Sequence, residues 1–391
     1  MKRSLDQVHA EAAGAADDGD GGSSNASSLP GSPFVPSLLA WGVVSSVSSE
    51  QQQQQQQLME RVQTVLVAPL SALLQEAALL SRRDRALLRT SPSHASSVLV
   101  SPVMDGERFV LVLDKSVPAL VVGETGRVQT LQEEAAVLMG YLEHSKQERA
   151  FFEVVFVFSP KGEEFVMVVQ DCLSIDPPNA PLSTRREQVA SFIQFCQTKK
   201  EELPFEIMEQ RFEPLSALPK LLSSIMWHEE TSSRVLMHGD FRLAVLGVRI
   251  APASSPYVFG GTNLLVLDWF FPRQHVFLSR LFVLPGSNAI TFGFRDAAAG
   301  MLVLNPAHVP ATIEKLGECE GSCICKVMFD PVKGLYNVRS LYAPGERRLS
   351  TAAQAFAISM QANEAINKEE LLSWISGAPH QPQPHQQHQK K

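Results

Sequence analysis

In the stretch SPVMDGERFVLVL, residues 101–113, Asp105 and Gly106 make an acidic turn, Arg108 follows two residues later, and alternating apolar residues complete the run. A carboxylate, a glycine turn and a guanidinium at the head of a strand resemble the opening of a nucleotide pocket. One group that such pockets usually carry, a lysine amine, is missing. Valine occupies position 103, and valine has neither a lone pair nor an exchangeable proton. The surviving polar residues also have plainer roles open to them. Asp105–Gly106 suits a tight turn between strands, and Arg108 could pair with a carboxylate such as Glu153.

The residues downstream carry a resemblance. VMDGER (residues 103–108) resembles Lys-x-Asp-Gly-x-Arg, the signature of the covalent nucleotidyltransferases, which comprise mRNA capping guanylyltransferases and ATP-dependent ligases. FFEVVFVF then supplies Glu153 on a strand, and FVMVVQDCLSI ends an apolar strand in Asp171. LPFEIMEQRFEPL is similar to the family's Pro-Phe-x-Ile strand. VRIAPASSPYVFGGTNLLVLDWFFP resembles its Pro-Tyr and Gly-Thr turn, with Pro256, Tyr257, Gly261, Thr262, Leu264, Leu265, Trp269 and Pro272 in register. That turn and the C-terminal YNVRSLY segment with its helices place the resemblance nearer the capping enzymes than the ligases.

The resemblance implies an α+β fold: a nucleotidyltransferase domain with antiparallel sheets, then an OB-fold barrel with C-terminal helices. In the family a lysine attacks the α-phosphate of GTP and carries GMP as a phosphoramidate. Val103 stands at that position, so no catalytic residue is expected. Asp268 and Phe270 stand where two lysines face the phosphates, Leu246 at an acidic metal-side position, and Tyr342 at a terminal lysine. An aspartate there inverts the local field. The nucleotide-binding candidates that survive are Asp105, Gly106, Arg108, Glu153 and Arg339, with no metal ligand among them. GTP with Mg²⁺ or Mn²⁺ is the only candidate cofactor. The implied role is a catalytically degenerate guanylyltransferase-like protein. It would hold a guanine nucleotide or mRNA cap without a covalent bond, or act as a scaffold. Its expected partners are proteins of the mRNA capping or translation initiation machinery, with capped RNA or GTP as ligands.

Two enzymatic alternatives stand beside it. A displaced lysine, Lys115 or Lys161, would restore guanylyl transfer, although errors of about 1 Å in positioning cost about a hundredfold in rate. VLMHGDF and LLVLDWF together resemble small-molecule kinases of the aminoglycoside and choline type. In them His238-Gly239-Asp240 would form the catalytic loop, with Asp240 as base and Asp268 as Mg²⁺ ligand. Against this, Val245 replaces the expected asparagine, and no Gly-rich phosphate loop precedes it.

The elements that must position these groups follow from periodicity. Hydrophobic residues make up 45% of the 391 residues and charged residues 19%, enough for a sizeable core. A net charge of -7 argues against indiscriminate nucleic-acid binding. The chain divides into a low-complexity arm with seven glutamines (1–57), the transferase-like domain (58–272), the OB-fold with its helices (273–376) and a His/Gln tail (377–391). Helical spacing runs over 58–80, interrupted by Pro69. Strands are expected at 97–103, 108–113, 119–122, 151–158, 164–172, 243–250 and 264–269. Thr184 and Glu187 form a capping box opening a helix near 185–200, and a second helix lies near 215–227. Beyond Pro272 come strands at 276–284, 289–294, 301–304, 322–329 and 335–341, with a helix at 307–316. Two helices close the chain, at 350–363 and 367–375, the last capped by Asn367. Five cysteines, three of them at 319, 323 and 325, read as free thiols near a surface turn, since a zinc site lacks its fourth ligand. No apolar run reaches a membrane-spanning length of roughly 18–20 residues, and no secretory h-region opens the chain. The expected location is the cytoplasm, with the nucleus as alternative.

Overall fold

A computed structural model of the chain describes residues 49–66, 68–88, 97–126, 128–131, 134–158, 165–174, 179–229, 233–239, 241–272, 274–283, 290–295, 302–309, 324–330, 335–342 and 349–376. Helix α1 (Ser49–Val65) leads to β1 (Glu76–Leu79), the short α2 (Arg85–Leu88), β2 (Val98–Met104), β3 (Glu107–Asp114), β4 (Val117–Gly123) and β5 (Val128–Thr130). After α3 (Ala135–Ser145) come β6 (Arg149–Phe158) and β7 (Phe165–Cys172), then α4 (Leu182–Thr198), β8 (Glu206–Glu209), β9 (Glu213–Pro214) and α5 (Leu218–Ser224). Strands β10 (Ile225–His228), β11 (Ser233–His238), β12 (Phe241–Pro252) and β13 (Thr262–Phe270) complete the first half. The second half holds β14 (Val276–Val283), β15 (Ile290–Arg295), β16 (Leu302–Val309), β17 (Ile324–Asp330) and β18 (Leu335–Tyr342), followed by α6 (Ala352–Glu364) and α7 (Lys368–Ser376).

The fold is α+β. One six-stranded sheet runs β5-β4-β3-β6-β7-β8, and a seven-stranded sheet runs β1-β13-β12-β11-β10, with β2 pairing β12 and β9. Strands β3 and β6 are buried on both faces, which explains why FVLVL and FFEVVFVF read as nearly continuous apolar runs. Phe109, Leu111 and Leu113 pack towards α3 and α4, while Val110 and Val112 pack towards α1 and Tyr257. Val155, Val157, Val166 and Val168 meet the seven-stranded sheet through Val100, Val248, Ile250 and Trp269. In the second half the strands run β16-β15-β14-β17-β18, the neighbour order of an OB-fold opened between its third and fifth strands.

Several elements differ from the sequence expectation. Helix α1 begins at Ser49 and takes in the glutamine run. Beyond Pro69 the expected helix gives way to β1, because Glu76–Leu79 is drawn into parallel pairing with β13. Helix α4 starts at Leu182 rather than behind a Thr184 cap. Its first N–H groups, on Leu182 and Ser183, donate to the carbonyls of Ser255 and Ala253, so tertiary contacts replace the cap. The 215–227 helix stops at Ser224, where Ile225, Met226 and Trp227 pair with β11. Residues 307–309 belong to β16, and the remainder of that expected helix lies outside the described residues. Cys325 is fully buried rather than near a surface turn, and among the described residues no cluster of His, Cys, Asp and Glu could hold a metal. The expected cap on α7 is present: Asn367 Oδ1 accepts from the Glu370 N–H at 2.7 Å. No helix among the described residues is long and apolar enough to cross a membrane.

His275 stands between β13 and β14, where the two halves join, and is 5% exposed. Burial pushes its imidazole down to about 4, with Gln361 opposing. A depressed histidine keeps its contribution above the unfolded value and loses it as pH falls towards the folded one. Unfolding free energy is therefore expected to drop by about 3 kcal/mol between pH 7 and pH 4 from this residue. Urea titrations across that range should show the slope, and His275→Leu should flatten it.

Candidate functional site

Arg108 and Glu153 are brought together by the register of β3 and β6, in which Arg108 faces Val155 and Val110 faces Glu153. This diagonal places both side chains on one face. Arg108 Nη2 donates to Glu153 Oε1 and to the Gln75 carbonyl, each at 2.6 Å. The second oxygen of Glu153 accepts from the Tyr257 hydroxyl at 2.8 Å, and that hydroxyl accepts from the Gln75 N–H at 3.1 Å. Glu153 is 1% exposed, so this carboxylate is buried with both oxygens satisfied. Burial works against the Arg108 charge, but Glu153, with Glu124 behind it, raises its pKa. Burial and Glu153 together push the Tyr257 phenol well above its ordinary range.

Two further ion pairs close the space between the sheets. Asp171, at the end of β7, receives Arg185 of α4 in a two-pronged contact at 2.8 and 3.0 Å. Arg185 also donates to the carbonyls of Ala180 and Ser255. Asp268 on β13 lies directly across from Arg249 on β12 and takes it at 2.8 and 2.9 Å. The cavity left among Gln75, Glu153, Asp171, Arg185 and Arg249 measures about 10 Å³, room for one water. A nucleotide base does not fit there.

The position of the missing lysine is apolar. Phe270 is buried in one hydrophobic cluster with Phe277, Phe292, Phe294, Cys325 and Val327 of the OB-like sheet, and Val103 and Leu246, partly buried, pack against it. Ala355 and Ile358 of α6 close it. The two halves are thus joined through the very positions at which the resemblance implies cations and a metal-side acid. Beside this cluster Asp105 accepts an ion pair from Lys326 of β17 at 2.6 Å. Arg339 lies on β18, next to β17, at the point where their register shifts. The residues present do not fit GTP with a divalent cation: three positions at the phosphate end are apolar, and the charged one, Asp268, is held by Arg249.

Gly106 has a mechanical reason. A Cβ there would collide with the Phe156 carbonyl oxygen and lie 2.6 Å from Val155, because the β2–β3 turn presses on β6. Gly106→Ala is expected to cost about 1–3 kcal/mol as overpacking against backbone, read as a lower urea midpoint.

Of the sequence candidates, Arg108 and Glu153 meet each other, while Asp105 turns to the other half of the chain. Of the lysines considered as replacements, Lys115 pairs with Glu148 on the surface at 2.9 Å, and Lys161 lies outside the described residues. For the kinase-like set, His238 contacts Glu206 at 3.2 Å, Gly239 makes the β11–β12 turn at φ 56, and Asp240 lies outside the described residues. Asp268 takes Arg249 through both oxygens, so its charge is paired within the sheet. Sequence reasoning missed Arg185, Arg249, Lys326 and the Tyr257 hydroxyl. Arg185 had a signal, since it shares the helical face of Val189, Phe192 and Cys196, where a charge needs a partner.

No family model and no curated protein sequence matches the chain. Solved structures similar to it include a mycobacterial DNA ligase D complexed with ATP and MES, with 11% identity and a TM-score of 0.36 over 72% of this chain and 96% of that one. The Chlorella virus DNA ligase-adenylate is 12% identical, TM-score 0.33, over 69% and 100%. The ATP-dependent DNA ligase from bacteriophage T7 in complex with ATP is 8% identical, TM-score 0.37, over 70% and 98%. At 8–12% identity these are likenesses of fold.

Proposed function

We propose that this chain is a non-catalytic, guanylyltransferase-like scaffold, working through protein contacts in an mRNA capping or cap-dependent translation complex. Val103, Leu246 and Phe270 sharing one apolar cluster with the OB-like sheet is the observation that carries the reading. Chemistry on a triphosphate needs an amine and positive charge at that place, together with room for substrate. Here those positions are apolar, with Val103 and Leu246 partly buried against the Phe270 cluster, and the nearby charges of Arg108, Glu153, Arg249 and Asp268 are paired. Scaffolding is favoured over non-covalent cap or GTP binding for the same reason: Arg108, Glu153, Asp171, Arg249 and Asp268 each have an internal partner. Lys326 brings an amine near the turn, but its charge is spent on Asp105. The resemblance at the level of residues, not the fold, suggests the capping context, and fold alone does not assign function.

The test is incubation of the protein with GTP labelled at the α-phosphate, with Mg²⁺ or Mn²⁺, beside an active capping enzyme. No labelled band is expected on a denaturing gel, and no saturable binding of GTP or a cap analogue by calorimetry. A band removed by acid and stable to alkali would mean a lysine carries GMP and would overturn the reading. Saturable cap binding lost in Arg108→Ala and Glu153→Gln variants would replace scaffolding by ligand binding.

A further inference from the structure

The outer edge of β8 offers an interaction surface away from the site described above. Strand β8 ends the six-stranded sheet and pairs only with β7 among the described residues, in parallel register. An edge strand presents a row of N–H and C=O groups ready to pair with another chain. Along this edge runs a groove of about 220 Å³, walled on one side by α4 through Ile193 and Cys196 and on the other by His238 at the end of β11. That is below the roughly 300–1,000 Å³ of small-molecule pockets. Four consecutive strand residues, Glu206 to Glu209, all line it. Side chains alternate across a strand, so a groove touching every one of them runs along its edge rather than over one face.

Charge selects the occupant. The two carboxylates lining the groove each have a contact, Glu206 a hydrogen bond with His238 at 3.2 Å and Glu209 an ion pair with Arg186 at 2.9 Å. The two remaining cations of its lining, Lys200 and Arg211, are exposed, and their side chains make no hydrogen bond or ion pair with any described residue. Glu201 does not line the groove. Cys196 at its floor is not a reactive thiol, because burial pushes it up to about 12.

We infer that this groove docks an extended, acidic peptide segment of a partner protein by strand addition to β8. The backbone of the peptide pairs with the edge, small apolar side chains enter the floor between Ile193 and Ile207, and acidic side chains meet Lys200 and Arg211. Main-chain bonds give such complexes their affinity and alternate side chains their specificity. The inference stands apart from the proposed function: labelling by GTP would overturn that reading and leave this groove untouched.

The probe is a fluorescent octapeptide alternating valine and glutamate, followed by polarisation against the full chain. Saturable binding is expected, weakened at least about tenfold by the double change Lys200→Glu and Arg211→Glu and by N-methylation of alternate peptide bonds. Both substituted residues are exposed, so the variant's unchanged thermal melt serves as the check on folding. Equal binding of a valine–lysine peptide, an unaltered affinity in the double variant, or no binding up to about 1 mM, a free energy near 4 kcal/mol, would each overturn the inference. So would a polyuridine RNA that binds more tightly than the peptide and depends on the same two residues.

Discussion

Replacing Arg185 with methionine is expected to lower the unfolding free energy by about 3–5 kcal/mol, the cost of breaking a buried ion pair from one side. Arg185 is 2% exposed and Asp171 4%. Methionine fills part of the volume but leaves the Asp171 carboxylate and the carbonyls of Ala180 and Ser255 without their donor. Burial already holds the Asp171 carboxyl above its ordinary range against the pull of Arg185. Losing the guanidinium raises it further. A carboxyl raised in the folded state binds more protons there than in the unfolded chain, so stability falls as pH rises through its folded value. The deficit of Arg185→Met should therefore be larger at pH 8 than at pH 5. The double variant with Asp171→Leu should recover much of the loss, since a well-packed apolar pair is often as stable as the ions it replaces. Urea unfolding of the four proteins closes a double-mutant cycle. A single-variant loss below about 1 kcal/mol would place this pair among surface-like contacts of little value.

How far the sequence reached depends on whether a feature was local. The alternating strands around Arg108 and Glu153 were legible because burial on both faces leaves a continuous apolar run interrupted by one obligatory charge. Asn367 was legible as a cap because capping is decided within three residues. Beyond Pro69 the chain was misread because EAAL has no strong preference of its own, and its state is set by β13, more than 180 residues away. Thr184 failed as a cap because the chain that returns at residues 253–255 does the same work. The losses at 103, 246, 268 and 270 were visible as single departures. What could not be read was their joint use: three of them form one apolar contact with strands beyond Pro272, and the fourth takes an arginine from its neighbour strand. Lys326 illustrates the same limit, because its partner Asp105 is separated from it by 221 positions.

Asp268→Lys, which restores the cation implied at that position, is expected to destabilise the fold rather than recover an enzyme. Asp268 is 6% exposed and holds Arg249 through both oxygens. Burial works against the Arg249 charge, and Asp268 is what sustains it. A lysine there leaves two buried cations facing each other, so a loss of at least about 3–5 kcal/mol is expected. Exchanging the pair, Asp268→Lys with Arg249→Glu, should return part of it, because the charges again oppose. Val103→Lys alone should be milder, about 1–3 kcal/mol, since a long side chain can carry its amine out towards solvent at the cost of disturbed packing on Leu246 and Phe270. Neither change, nor the two combined, should yield a protein labelled by α-phosphate GTP. An amine returned to position 103 would have Leu246, Phe270 and the Arg249-paired Asp268 around it, none of which offers a free cation to a phosphate. The outcome that would defeat this account is labelling of Val103→Lys by GTP at a rate approaching that of the capping enzyme control. That would mean the apolar joint opens readily and that a single substitution, not the closure of the whole site, separates this chain from catalysis.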